Sequence, residues 1–192
     1  TRAALEVLVE FKIPFDTLTK NPQLALRDLD LHKKGGGRFA STILFLDETL
    51  RENWEPGAPP VGDRLDAIKK AHDAGVFTWV SIEPVVNTEE ALALIADAQG
   101  YVDLWKVGKL NYLPEAGAID WGKFAVDVHK ALLKTGKSFI IKNSLAAFLP
   151  ADLVARAPIQ HQAKRALLIV LAHQNDTPLE EGSLQPSVVE QH

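Results

Sequence analysis

Cysteine is absent from this chain, and so is methionine, even at the first position. Without thiolates the chain has no ligand for an iron–sulfur cluster, no disulfide and no thiol nucleophile. The lack of disulfides agrees with a cytoplasmic location, which is the default expectation. No stretch approaches the ~20 uninterrupted apolar residues of a membrane span. The start, Thr1-Arg2-Ala3-Ala4, has no charged-then-apolar signal layout. A chain that opens on Thr1 inside an expected helix is expected to be a piece of a longer protein or an engineered one.

Other chemistries are excluded by what is missing. The net charge of −4 leaves no basic footprint for nucleic acid. His32, His72, His129, His161, His173 and His192 are scattered, and none forms an i, i+4 pair with another. A zinc site is therefore not expected. No Gly-x-Ser-x-Gly elbow occurs, and no Gly-x-Gly-x-x-Gly follows a strand.

What is present is ordinary for a globular fold, with 46% apolar and 24% charged residues. Leu5, Leu8, Val9 and Ile13 recur at helical spacing up to Pro14. Phe15 to Thr19 then has strand character, and Leu24 to Lys34 helical character, stopped by Gly35-Gly36-Gly37. Arg38 to Leu46 predicts a strand. Asp63 is expected to cap a helix that closes at Gly75. Val76 to Val80 predicts the next strand, running into Ser81-Ile82-Glu83-Pro84. Asn87 and Glu90 have the spacing of a capping box. Val102 to Val107 and Ser138 to Ile141 predict two more strands, separated by a helix that Asp120 caps and Gly136 closes.

Strand then helix, about five times over, predicts an α/β fold with parallel strands. A closed eight-unit barrel needs ~250 residues. This chain of 192 predicts a partial, open β/α barrel over residues 1–150. Apolar Ile159 to His173 predicts a C-terminal helix within a segment 151–174, available to cover an exposed barrel edge. Polar residues 175–192 predict a loosely held tail.

In barrel folds the working groups sit at the C-terminal ends of strands. Those ends carry Thr19-Lys20, Ser41 with Asp47-Glu48, Ser81 and Glu83, Lys106 to Lys109 with Asn111, and Lys142-Asn143. Lysines facing one mouth suit a carboxylate or phosphate. Glu83, held extended before Pro84, suits an ammonium or a ribose. Each of these positions also has the plainer reading of a solvated loop start or loop anchor. Trp54 in Trp54-Glu55-Pro56-Gly57 is expected to cover a core edge. Two-carboxylate chemistry between Glu83 and Asp47 or Glu48 is compatible with the spacing but not required by it.

An ordered set of short motifs carries a resemblance. Leu18-Thr19-Lys20, Arg38-Phe39-Ala40-Ser41, Trp54-Glu55-Pro56-Gly57, Arg64-Leu65 and Ser81-Ile82-Glu83-Pro84 come in an order and spacing that resembles radical S-adenosylmethionine proteins related to spore photoproduct lyase. Val107 to Asn111 and Ile119-Asp120-Trp121 extend the match. The resemblance implies a partial (β/α)6 barrel. It implies a 4Fe-4S cluster on a Cys-x-x-x-Cys-x-x-Cys loop, which reduces S-adenosylmethionine to a 5′-deoxyadenosyl radical. It implies that Lys20 and Ser41 hold the carboxylate of S-adenosylmethionine. It further implies that Glu83 lies near the adenine and ribose, and Lys106, Gly108 and Lys109 near the adenine.

The departure from the family is the missing cysteine loop, together with the cysteine hydrogen donor of the spore photoproduct lyase branch. Two expectations follow. In the first, the chain is part of a radical S-adenosylmethionine enzyme whose cluster half lies before Thr1, and it is inactive alone. In the second, it is a non-catalytic half-barrel that acts as a binding or assembly module. Its partners are then a small-molecule cofactor and whatever covers the open barrel edge, the missing half or another chain. Nucleic acid enters only through the family.

Overall fold

The structure is a computed structural model and describes residues 1–154 and 166–170. Helix α1 (Arg2–Glu10) precedes β1 (Phe15–Thr19), followed by α2 (Pro22–Ala25) and α3 (Leu29–Gly35). Then come β2 (Arg38–Thr42), α4 (Glu48–Trp54), α5 (Val61–Asp73), β3 (Thr78–Val85) and α6 (Thr88–Ala98). The described chain continues through β4 (Leu104–Lys109), α7 (Trp121–Thr135), β5 (Ser138–Ile141), α8 (Asn143–Ala146), α9 (Ala151–Val154) and β6 (Ala166–Val170). The strands form one open sheet in the order β5-β4-β3-β2-β1-β6, and every pairing is parallel. The expected α/β architecture is thus present, with strands that alternate with helices.

The sheet has two unlike faces, because successive side chains of a strand point to opposite sides. Phe39, Val80, Ile82, Trp105, Val107 and Phe139 fall on one side and join the main core. Residues from α5, α6 and α7, among them Ile68, Leu94, Ile95, Phe124 and Val128, complete that core. Residues of the other parity, Ala40, Trp79 and Leu104, with Leu18 and Ile140 against them, form a smaller cluster on the second face.

Local signals decide most of the helix ends. Asp120 accepts from Lys123 N at 2.9 Å, and Gly136 closes α7 in the left-handed region that glycine tolerates. Asn87 Oδ1 accepts from Glu89 N and Glu90 N, as a helix cap should. Glu90 does not complete the expected box. Its Oε2 instead accepts from Leu46 N and Asp47 N, at 2.7 and 2.9 Å, and ties the loop after β2 to α6.

Several expectations are corrected. Asp63 is not the cap of α5, which starts two residues earlier, after Pro60. Strand β2 ends at Thr42 rather than Leu46, although Ile43, Leu44 and Phe45 remain buried. An apolar run therefore marks burial there, not extension. The largest correction lies at residues 166–170, expected in a helix and found as β6 beside β1. Ala-Leu-Leu-Ile-Val suits a parallel strand as well as a buried helix. As a strand it supplies backbone donors and acceptors to the edge of β1, which a helix cannot do. The rest of the expected helix, and the expected tail 175–192, lie outside the described residues.

Candidate functional site

The side-chain alternation sorts the expected site residues. Register pairs Ser81 with Lys106 and Lys106 with Ile140. Ser81, Glu83, Lys106 and Gly108 share the parity of Trp79 and Leu104 and so belong to the second face. Ser41 and Lys109 have the opposite parity, that of Phe39 and Trp105.

Ser41 is fully buried, and its hydroxyl donates to Thr19 O at 2.9 Å. By strand parity its side chain belongs to the helix-covered face. Lys109 is turned toward α7, with Nζ 5.3 Å from the centre of the Trp121 ring and 5.7 Å from that of Phe148. Of the six expected site residues, the fold gathers Glu83, Lys106 and Gly108 on one face.

Gly108 has a physical reason to be glycine. A Cβ there would stand 2.5 Å from Glu83 Oε1. The bare backbone lets the Glu83 carboxylate lie across β4 and reach Lys142, just past β5, at 3.1 Å. The space at Gly108 is thus taken by a carboxylate of the chain itself. The Glu83-Pro84 peptide is cis, and the pairing of β3 with β4 shifts register between Ile82 and Val85. Both partners of this ion pair are more than a third exposed, so solvent weakens it.

Lys106 is different. Its Nζ lies 3.5 Å from the centre of the buried Trp79 ring. Burial is the main cause that brings its pKa down to about 8; Asp16 and Glu83 oppose the shift, and the cations Arg38 and Lys142 add to it.

Lys20, at the end of β1, meets a buried network. Its Nζ is 2.9 Å from Glu55 Oε1, and Glu55 Oε2 accepts from Arg64 Nη1 at 2.9 Å. Arg64 is 0% exposed and the Glu55 side chain 2%, while the Lys20 side chain is 53% exposed. Arg64 also donates to Pro59 O and Thr42 O. The sequence singled out this segment for Trp54, yet Glu55 and Arg64 do the joining. Arg64, on the apolar side of an amphipathic helix, was the available signal: a charge there needs a partner.

The other strand-end groups are occupied. Asp47 caps α4 through Leu50 N, and Glu48 accepts from Arg51 Nε and from Val61 N. Neither carboxylate is left to work with Glu83. Thr19 Oγ1 accepts from Asn21 N, and Asn111 donates to Lys109 O. Among the described residues no group of three or more His, Asp or Glu is placed to hold a metal ion. No helix among them is long and apolar enough to cross a membrane.

No protein-family model matches the chain. The chain is similar to the uncharacterized protein MJ0683 of Methanocaldococcus jannaschii, with 30% identity over 79 residues. That segment covers 41% of this chain and 30% of the archaeal protein. The fold is similar to that of Streptococcus suis SuiB, solved bound to S-adenosylmethionine, with a TM-score of 0.61 and 14% identity. The superposition covers 88% of this chain and 43% of SuiB, so the chain spans under half of that protein's length.

Proposed function

We propose that the strand ends of the second face, with Lys20, form part of a binding surface for S-adenosylmethionine in a radical S-adenosylmethionine protein of the spore photoproduct lyase type. One observation carries the reading. Glu83, Lys106 and Gly108 stand together at the C-terminal ends of neighbouring parallel strands, in a fold shared with a protein solved with that ligand bound.

The donor set fits the ligand. The half-exposed Lys20 ammonium suits an amino-acid carboxylate. Its contact with Glu55 keeps it beside the end of β1. Glu83 suits ribose hydroxyls or an ammonium, either of which would compete with Lys142. Ser41 enters indirectly, by holding the carbonyl of Thr19 next to Lys20. Lys109, facing Trp121, serves the packing of α7 in this reading.

A cluster does not fit these residues, because the chain has no cysteine. No radical step is therefore derived for this chain. A second reading, a half-barrel that binds without catalysis, is favoured by that same lack of thiolates.

Calorimetry of the folded chain with S-adenosylmethionine tests the proposal. Binding is expected, and Lys20→Ala should weaken it about tenfold, ~1.4 kcal/mol, while Lys109→Ala leaves it unchanged. Absence of heat with folded protein overturns the proposal.

A further inference from the structure

We propose that Lys106 is a nucleophilic amine, placed on the second face to capture the carbonyl group of an aldehyde or ketone substrate as a Schiff base. The inference does not rest on the S-adenosylmethionine reading.

The cations of this face are treated unequally. Arg38 is paired with Asp16, its Nε 2.7 Å from Oδ1. Lys142 is paired with Glu83. Lys106 has no ion pair or hydrogen bond among the described residues, and its polar end rests on the Trp79 ring. Beneath it lie Trp79, Leu104 and Ala40, all buried and apolar. The apolar floor and the neighbouring cations favour a free amine and outweigh Asp16 and Glu83, while the ring face holds the ammonium until the proton is lost.

The consequence can be put in numbers. With its pKa near 8, roughly a tenth of Lys106 is neutral at pH 7, against well under a thousandth for an ordinary lysine. Loss of the proton also ends the attraction to the ring face. The amine is then free to leave Trp79. Ser81, opposite Lys106 in register, offers a hydroxyl beside it for proton transfer.

The chemistry balances without a further reagent. The nitrogen lone pair adds to the carbonyl carbon, and the oxygen takes up protons and leaves as water. The product is an imine between Nζ and the former carbonyl carbon.

Glyoxylate with sodium cyanoborohydride at pH 7 tests the proposal on the native chain. The imine is reduced to a stable carboxymethyl-lysine, and peptide mapping by mass spectrometry locates it. Lys106 should be labelled at least about tenfold faster than exposed lysines such as Lys12 and Lys33, as expected for a much larger neutral fraction. That preference should vanish in the unfolded chain. Lys106→Arg should remove the fast site and leave the slow ones. Labelling of Lys106 no faster than of the exposed lysines in the folded chain overturns the proposal. If S-adenosylmethionine slows the fast labelling, both readings gain. If labelling is fast and unaffected by it, this proposal stands and the S-adenosylmethionine reading loses.

Discussion

On the helix-covered face, Ser41 donates to a backbone carbonyl and Thr17 meets His32 at 2.9 Å. Their polar atoms are used to hold neighbouring elements in place. On the second face, Glu83 reaches over a glycine to Lys142, half exposed, and Lys106 leans on a ring. Polar side chains of neighbouring strands in one sheet thus serve structure on one side and remain available on the other. The comparison teaches that being at a strand end is not enough to assign a role. Which side of the sheet a residue points to decides it.

The largest expected effect comes from the joint between the two sides. Arg64→Ala leaves the buried Glu55 carboxylate with only the half-exposed Lys20 as a partner and should cost ~3 kcal/mol. Chemical denaturation measures this. A loss below ~1 kcal/mol would mean that water reaches the pair.

A matched pair of variants separates the faces more finely. Gly108→Ala pushes Glu83 off Lys142 and should cost ~1 kcal/mol or less, yet alter ligand binding on the second face. Ser41→Ala should cost ~1 kcal/mol and leave the labelling of Lys106 unchanged. An equal effect of both variants on that labelling would erase the distinction between the faces.

The smallest effect is set by pH. His32 and His129 are buried, and burial holds both imidazoles below their ordinary value of 6.5. Neither ring nitrogen of His129 has a hydrogen-bond partner among the described residues. The unfolded chain therefore binds more protons, and stability is complete above about pH 6.5 and falls as pH drops below it. Thermal melts from pH 7.5 to 5.5 should show the fall, and His129→Phe should flatten it. Among the described residues the second face carries no histidine, so while the chain stays folded labelling of Lys106 should fall toward acid only as its own amine takes up a proton.

Much of this was legible in the sequence. The strand–helix alternation and the caps at Asn87 and Asp120 follow from spacing and turn chemistry. Other features were not. Glu83 and Lys142 lie far apart in sequence, and only the sheet order makes them neighbours. Glu90 binds the loop after β2 because of where α6 packs, which local pattern cannot reveal. The run Ala166–Val170 is apolar throughout, so nothing in its periodicity separates a strand from a buried helix.

The pairing of β6 with β1 also has a consequence in time. Strand β1 finds its outer neighbour β6 only after about 150 further residues have left the ribosome, a long closure in entropic terms. The four sequential pairings from β1 to β5 can form before it. Until β6 arrives, a nascent chain presents the unpaired donors and acceptors of Phe15 to Thr19 to any passing strand. The order of synthesis therefore makes the N-terminal side of the sheet the part most dependent on shelter while the protein is being made.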